Sequence, residues 1–215
     1  MALTLTQATT EVRDHLNEAT AEFWTDAQIQ KWIQEGTRMV SGKAFSVEAD
    51  DTITLVTNQL TYTSSDESFI ADCIEPIFAY YDDGSNNYKG LIKVVPREIG
   101  NVATFTAGDP KYYCLFNRTF YIWPLPSSTT NGNTIMVLYA KETDDITELK
   151  DEHQHMAIMW AIAKCKFRDR AFGEAAAIMN NFYQELSFER ADKSNREVDI
   201  YQGFKIQEGQ RGARA

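Results

Sequence analysis

Gly108–Pro126, GDPKYYCLFNRTFYIWPLP, decides how the rest of the chain reads. Two aromatic runs flank Asn117-Arg118, and Pro124 and Pro126 close the segment. A two-residue polar turn between alternating apolar runs predicts a β-hairpin, although Arg gains little from the positive φ such a turn demands. Neither proline can donate to a sheet ladder, so pairing is expected to end there. Core packing on one hairpin face and an interface with another subunit on the other is the expectation, with Tyr112, Tyr121 and Trp123 as the interface candidates.

Around this hairpin, residues 50–141 carry period-two alternation and turn chemistry. Thr52–Val56 and Leu60–Thr63, separated by Thr57-Asn58-Gln59, read as a further hairpin. Strands are also expected at Ile74–Tyr81, Leu91–Val95, Tyr112–Phe116, Thr119–Trp123 and Thr134–Ala140, with DDGSNN, PREIG and STTNGN as loops.

Helical patterns lie on both sides. Leu5, Ala8, Val12, Leu16 and Ala19 form one narrow apolar face. Thr25 and Gln28 make a capping box, with Trp24 and Ile29 placed as a hydrophobic staple. Ile29, Trp32, Ile33, Gly36 and Val40 then form a buried face on which Gly36 admits a second helix closely. After Asp151, HQHMAIMWAIAKCKF is apolar on most of its circumference, as a helix with several neighbours requires. A second long helix presents Ala175, Ile178, Met179, Phe182, Tyr183 and Leu186 on one face. The tail YQGFKIQEGQRGARA has no periodicity and is expected to be mobile until something binds it.

The predicted fold class is therefore α+β. A helical bundle, made of an N-terminal αα-hairpin and two long C-terminal helices, carries an inserted antiparallel β sandwich or barrel-like domain and a flexible C-terminal tail. The expected boundaries are 1–48, 49–146, 147–197 and 198–215.

Charge narrows the function. The net charge is −10, and it is uneven: residues 1–155 hold 11 basic and 23 acidic side chains, residues 156–215 hold 10 and 8. Most of the chain repels nucleic acid, and only its C-terminal part suits an acidic partner. No apolar run approaches the roughly 20 residues of a membrane span, and the N-terminus does not read as a signal peptide, which predicts synthesis in a cytoplasm.

Catalytic chemistry finds little footing. Asp82-Asp83 sits at a strand exit, and the DDGSNN loop does not fit the EF-hand spacing for calcium. His153 and His155 are two residues apart and do not share a helix face. Asp151 can pair with His155, and Asp151 and Glu152 suit a helix start. Cys73, Cys114 and Cys165 are widely spaced in apolar contexts, as buried thiols would be. No enzymatic activity, cofactor or metal is expected.

The order of elements, with Gly108, Pro110, Tyr113, Pro124, Pro126, Tyr139 and Leu149 at matching places, resembles the head-tail connector (adaptor) proteins of tailed bacteriophages, the short-tailed type in particular. The resemblance implies a virion protein at the head-tail junction, forming a homo-oligomeric ring, usually of twelve subunits. Such a ring binds the portal protein above and a tail or nozzle protein below, and genome DNA passes through it without sequence-specific contacts. In that setting the tail is expected to bind the portal, with Tyr201, Phe204 and Ile206 as apolar anchors and Lys205, Arg211 and Arg214 as charge contacts. A tail-tube or nozzle component and a peptidoglycan-cleaving virion protein are the competing readings. The second would need two acids in a cleft, and the paired acids here read as loop residues.

Overall fold

The computed structural model describes residues 2–18, 23–85, 87–95, 97 and 106–189. The chain divides into two compact units, Met1–Val47 with Thr143–Ala215, and Glu48–Glu142. The architecture is α+β, with an N-terminal helix pair, two C-terminal helices and two open four-stranded sheets.

The helical unit holds α1 (Leu5–Leu16), α2 (Asp26–Ala44), α3 (Asp151–Arg168) and α4 (172–189). Both N-terminal helices start on capping boxes, Thr4 with Gln7 and Thr25 with Gln28, which satisfy backbone N–H groups that a helix start leaves unpaired. The first box was as legible as the second, in TLTQ. α1 stops at Leu16 because Asn17 turns left-handed, with φ 55°; Ala19, at the end of the expected face, lies outside the described residues. Arg13 of α1 then ties the helix pair. Its guanidinium donates to Asp26 Oδ1 (2.6 Å) and to the Trp24 carbonyl (2.7 Å), while the Trp24 N–H donates to Glu18.

One core cluster fills this unit. Ala8 and Val12 of α1, Ile29, Ile33 and Val40 of α2, Ala157 and Ala161 of α3 and Phe182 of α4 are fully buried in it. Trp24 belongs to the same cluster as Ile29, in keeping with the staple. Of the face predicted for α4, Ala175, Phe182 and Leu186 are buried, Ile178 and Met179 half-buried, and Tyr183 exposed.

The second unit contains β1 (Glu48–Thr54), β2 (Thr61–Tyr62), β3 (Cys73–Asp82), β4 (Tyr88–Gly90), β5 (Ile92–Lys93), β6 (Tyr112–Phe116), β7 (Thr119–Trp123) and β8 (Thr134–Lys141). One sheet runs β1-β8-β3-β4, the other β2-β7-β6-β5. Alternation places Ile53, Tyr81, Ile135 and Val137 of the first sheet in one cluster with Tyr62, Tyr113, Phe120 and Ile122 of the second. The two sheets thus share a core between their inner faces, which is the sandwich packing.

The expected β6–β7 hairpin is present, with Phe116 opposite Thr119 and Tyr112 opposite Trp123. Asn117 and Arg118 both take positive φ, 49° and 55°, the conformation of a type I′ turn. The ladder stops at Trp123, but backbone contact continues past it: the Gly108 N–H donates to the Leu125 carbonyl at 2.9 Å.

The other expected hairpin is overturned. β1 pairs with β8 and β2 pairs with β7, so these neighbours in sequence sit in different sheets. The intervening chain makes a corner. The Leu55 N–H donates to Asn133 O at one end, and Leu60 O accepts from the Ile122 N–H at the other. In between, Asn58, at φ 63°, donates its N–H to Pro126 O. Two further departures are β4, a strand that was not expected and that follows the DDGSNN loop, and β5, which pairs parallel to β6.

Candidate partner-binding surfaces

The acidic pairs are turn caps. Asp82 and Asp83 accept from the Gly84 and Ser85 N–H groups, and Asn87 Nδ2 donates to Asp83 Oδ2 (3.1 Å). These hydrogen bonds hold the Asp83 carboxyl below the usual carboxylate range, Asn87 contributing most. Among the described residues no group of three His, Cys, Asp or Glu side chains could hold a metal ion. The three thiols are free and buried, and burial pushes Cys73 and Cys165 up to about 12 and Cys114 to about 11. A thiol so far from ionising is a poor nucleophile at neutral pH.

Helix α3 carries the histidine-acid cluster, and both of its histidines meet acids of α4. His155 Nε2 lies 2.6 Å from Glu185 Oε2 and His153 Nε2 lies 2.9 Å from Glu189 Oε2, so both meet α4. His153 is buried and its contact is off the N–H direction, an electrostatic approach without a hydrogen bond. These pairs place the last described turn of α4 against the first turn of α3. Sequence reasoning missed Glu185 and Glu189 as the contacts of these histidines, some 30 residues away along the chain.

The outer face of the second sheet bears the aromatic candidates. Cys114 and Trp123 are buried in a small cluster with Leu60, Val94, Tyr112 and Tyr121 packed on it. Tyr121 and Trp123 stack with ring centroids 5.6 Å apart and planes 5° apart. Tyr112 and Tyr121 remain half-buried, Trp123 is 1% exposed, and Phe116 is exposed beside them.

The sequence profile described as SU10 adaptor protein matches residues 3–201, nearly the whole chain. This chain belongs to the SU10 adaptor protein family. It is a phage adaptor family, structural in character, and membership implies binding to other virion proteins and a place in the virion. A search among curated proteins returns no match. No described helix of this adaptor is long and apolar enough to cross a membrane.

Of the residues expected to contact the portal, Tyr201 is the last that the family profile spans, and Phe204, Lys205, Ile206, Arg211 and Arg214 follow it. All six lie outside the described residues. What the structure does describe is α4 as far as residue 189. There Phe188 is 73% exposed and Tyr183 48%, so the adaptor presents apolar surface on the last described turns of this helix.

Proposed function

We propose that this chain is a head-tail adaptor that assembles as a ring, usually of twelve copies, between the portal and the tail, with genome DNA passing through its centre. The observation that carries the reading is the family match over residues 3–201. Charge supports it, because an excess of acidic groups over residues 1–155 offers DNA few cations with which to release counterions, and DNA can then slide. The half-buried aromatic face of Tyr112 and Tyr121 over Trp123 is the proposed contact with a neighbouring subunit or the tail protein. Tyr201, Phe204 and Ile206, with Lys205, Arg211 and Arg214, are the proposed contact with the portal. The adaptor is made in the host cytoplasm and ends at the head-tail junction.

Co-sedimentation with purified portal rings tests the portal contact. The full chain is expected to pellet with the rings, and a chain ended after Arg196 to remain in the supernatant. Equal pelleting of both would remove residues 197–215 from the interface.

A further inference from the structure

The turn that joins α3 to α4 presents two aromatic side chains to solvent. Phe167 is 61% exposed and Phe172 56%, and their rings meet edge to face with centroids 5.2 Å apart. Backbone hydrogen bonds fix the turn beneath them. Arg170 stands at φ 63° and donates its N–H to the Phe167 carbonyl (3.2 Å), and the Ala171 N–H donates to the Lys166 carbonyl (3.0 Å). The pair is thus a preformed apolar knob, which loses little side-chain freedom when it is buried. Its setting is basic. Residues 164–174 hold four basic and two acidic side chains in a chain of net charge −10, and both Arg168, set over the Trp32 ring at 5.1 Å, and Arg170 are exposed.

The same unit carries a groove of about 220 Å³ between α1, α3 and α4, with apolar walls from Ile158, Met159 and Ile162 of α3 and Ile178 of α4. Small-molecule sites are usually about 300–1,000 Å³ and enclose their ligands. This groove is smaller and open on one side, a shape suited to one or two side chains. Its mouth is acidic. Glu11 and His15 of α1 stand on the rim with His155, and His155 faces Glu185 at 2.6 Å, which offsets any charge the ring takes up. The α3 residues that line the groove follow three- and four-residue steps, and one turn nearer the start of α3 the same stripe reaches Asp151 and Glu152, both exposed.

We propose that the Phe167–Phe172 knob of one chain docks in this groove of a second copy, with Arg168 and Arg170 against Glu11, Asp151 and Glu152. Both halves of the match are on this one chain: an exposed aromatic pair among cations, and an apolar trough among carboxylates. The knob cannot enter the groove of its own chain. Phe167 lies nine residues beyond Ile158 on the same continuous helix, about 14 Å at 1.5 Å per residue, so their separation is fixed. A contact between unlike patches is heterologous, and copies joined in that way close into a ring when the rotation per copy permits. The inference rests on the ring reading above and gives it a subunit contact within the helical unit.

A spin label on Gly173→Cys, where a Cβ would meet nothing within 4 Å, tests this in the full chain. The three native thiols are buried, which leaves the introduced cysteine as the reactive one. Spin-labelled chains without isotope are mixed with isotope-labelled chains without spin label, so that only contacts between chains are read. The methyl signals of Ile158, Met159, Ile162 and Ile178 are expected to lose at least about half their intensity relative to the reduced label. Adding Phe167→Ala and Phe172→Ala to the spin-labelled chain is expected to abolish the loss. Adding Arg168→Glu and Arg170→Glu instead is expected to diminish it, and Glu11→Lys, Asp151→Lys and Glu152→Lys in the isotope-labelled chain to bring it back. Unchanged intensities, a loss indifferent to the two alanines, or a loss that the reversed charges fail to bring back would each overturn the proposal. Portal rings are absent from this sample, so failure of this contact leaves the ring reading to its own test by electron microscopy.

Discussion

Gly36 of α2 meets Ala157 of α3 so closely that a Cβ on the glycine would sit 2.9 Å from the Ala157 carbonyl oxygen and 2.9 Å from the Trp160 Cβ. Because the obstruction is largely backbone, a side chain at position 36 must push the two helices apart. Gly36→Ala gains helix propensity of about 1 kcal/mol, but overpacking costs roughly 1–3 kcal/mol. The expected net result is a loss of stability in urea unfolding, larger for Gly36→Leu. Gly42, in the same helix with nothing within 4 Å of its would-be Cβ, is the control, and Gly42→Ala is expected to stabilise. Stabilisation by both alanine variants would mean that the helix contact is looser than described.

At the tip of the β6–β7 hairpin, Arg118 holds φ 55°. A left-handed residue with a Cβ pays about 1–2 kcal/mol, and glycine recovers most of it less its own chain entropy of about 0.5–1 kcal/mol. Arg118→Gly should therefore raise the melting temperature slightly, by up to about 4 °C for a chain of this length. A lower melting temperature would show that the arginine side chain makes a contact worth more than the strain.

Edge strand β1 is guarded by carboxylates. The Thr52 N–H is taken by Asp51 Oδ1 (2.7 Å) and the Thr54 N–H by Glu67 Oε1 (2.9 Å). Free edge donors are templates for strand addition. The double variant Asp51→Ala, Glu67→Ala is expected to self-associate in static light scattering at concentrations where the parent chain does not. Identical scattering would assign the protection to something other than these two caps.

The buried thiols set a pH limit. Burial raises the folded pKa of Cys73 and Cys165 to about 12 and of Cys114 to about 11, above the ordinary value near 9. Their contribution to stability is thus fully present below about pH 9 and is lost as pH rises toward the folded values. Stability should be flat with respect to these groups at neutral pH and fall above it. At pH 8, iodoacetamide should modify the native chain far more slowly than the urea-unfolded chain; equal rates would place at least one thiol at the surface.

The helices were legible because their signals are local. The Thr25–Gln28 box and the Gly36 face sit within one or two turns, and both appear as read. The β6–β7 hairpin was legible for the same reason. The β1–β2 pairing was misread because alternation marks a strand without naming its partner. The corner from Leu55 to Leu60 is decided by Asn133, Pro126 and Ile122, all more than 60 residues away. The short β4 was missed because three residues, Tyr88–Gly90, are too few to show alternation. The α4 partners of His153 and His155 were invisible for a related reason: Glu189 and Glu185 lie 30 or more residues away along the chain and are brought there by packing. The aromatic face could be read as two-sided from the alternation of Phe120 and Ile122 with Tyr121 and Trp123. How deeply Trp123 sits in it could not, since its burial depends on Leu60 and Val94, which lie just outside β2 and β5.

The adaptor reading itself is tested most directly by electron microscopy of the purified chain with and without portal rings. The account predicts added density of an adaptor ring on one end of the portal, with rotational symmetry about the channel. A chain that stays monomeric beside bare portal rings at high concentration would contradict it.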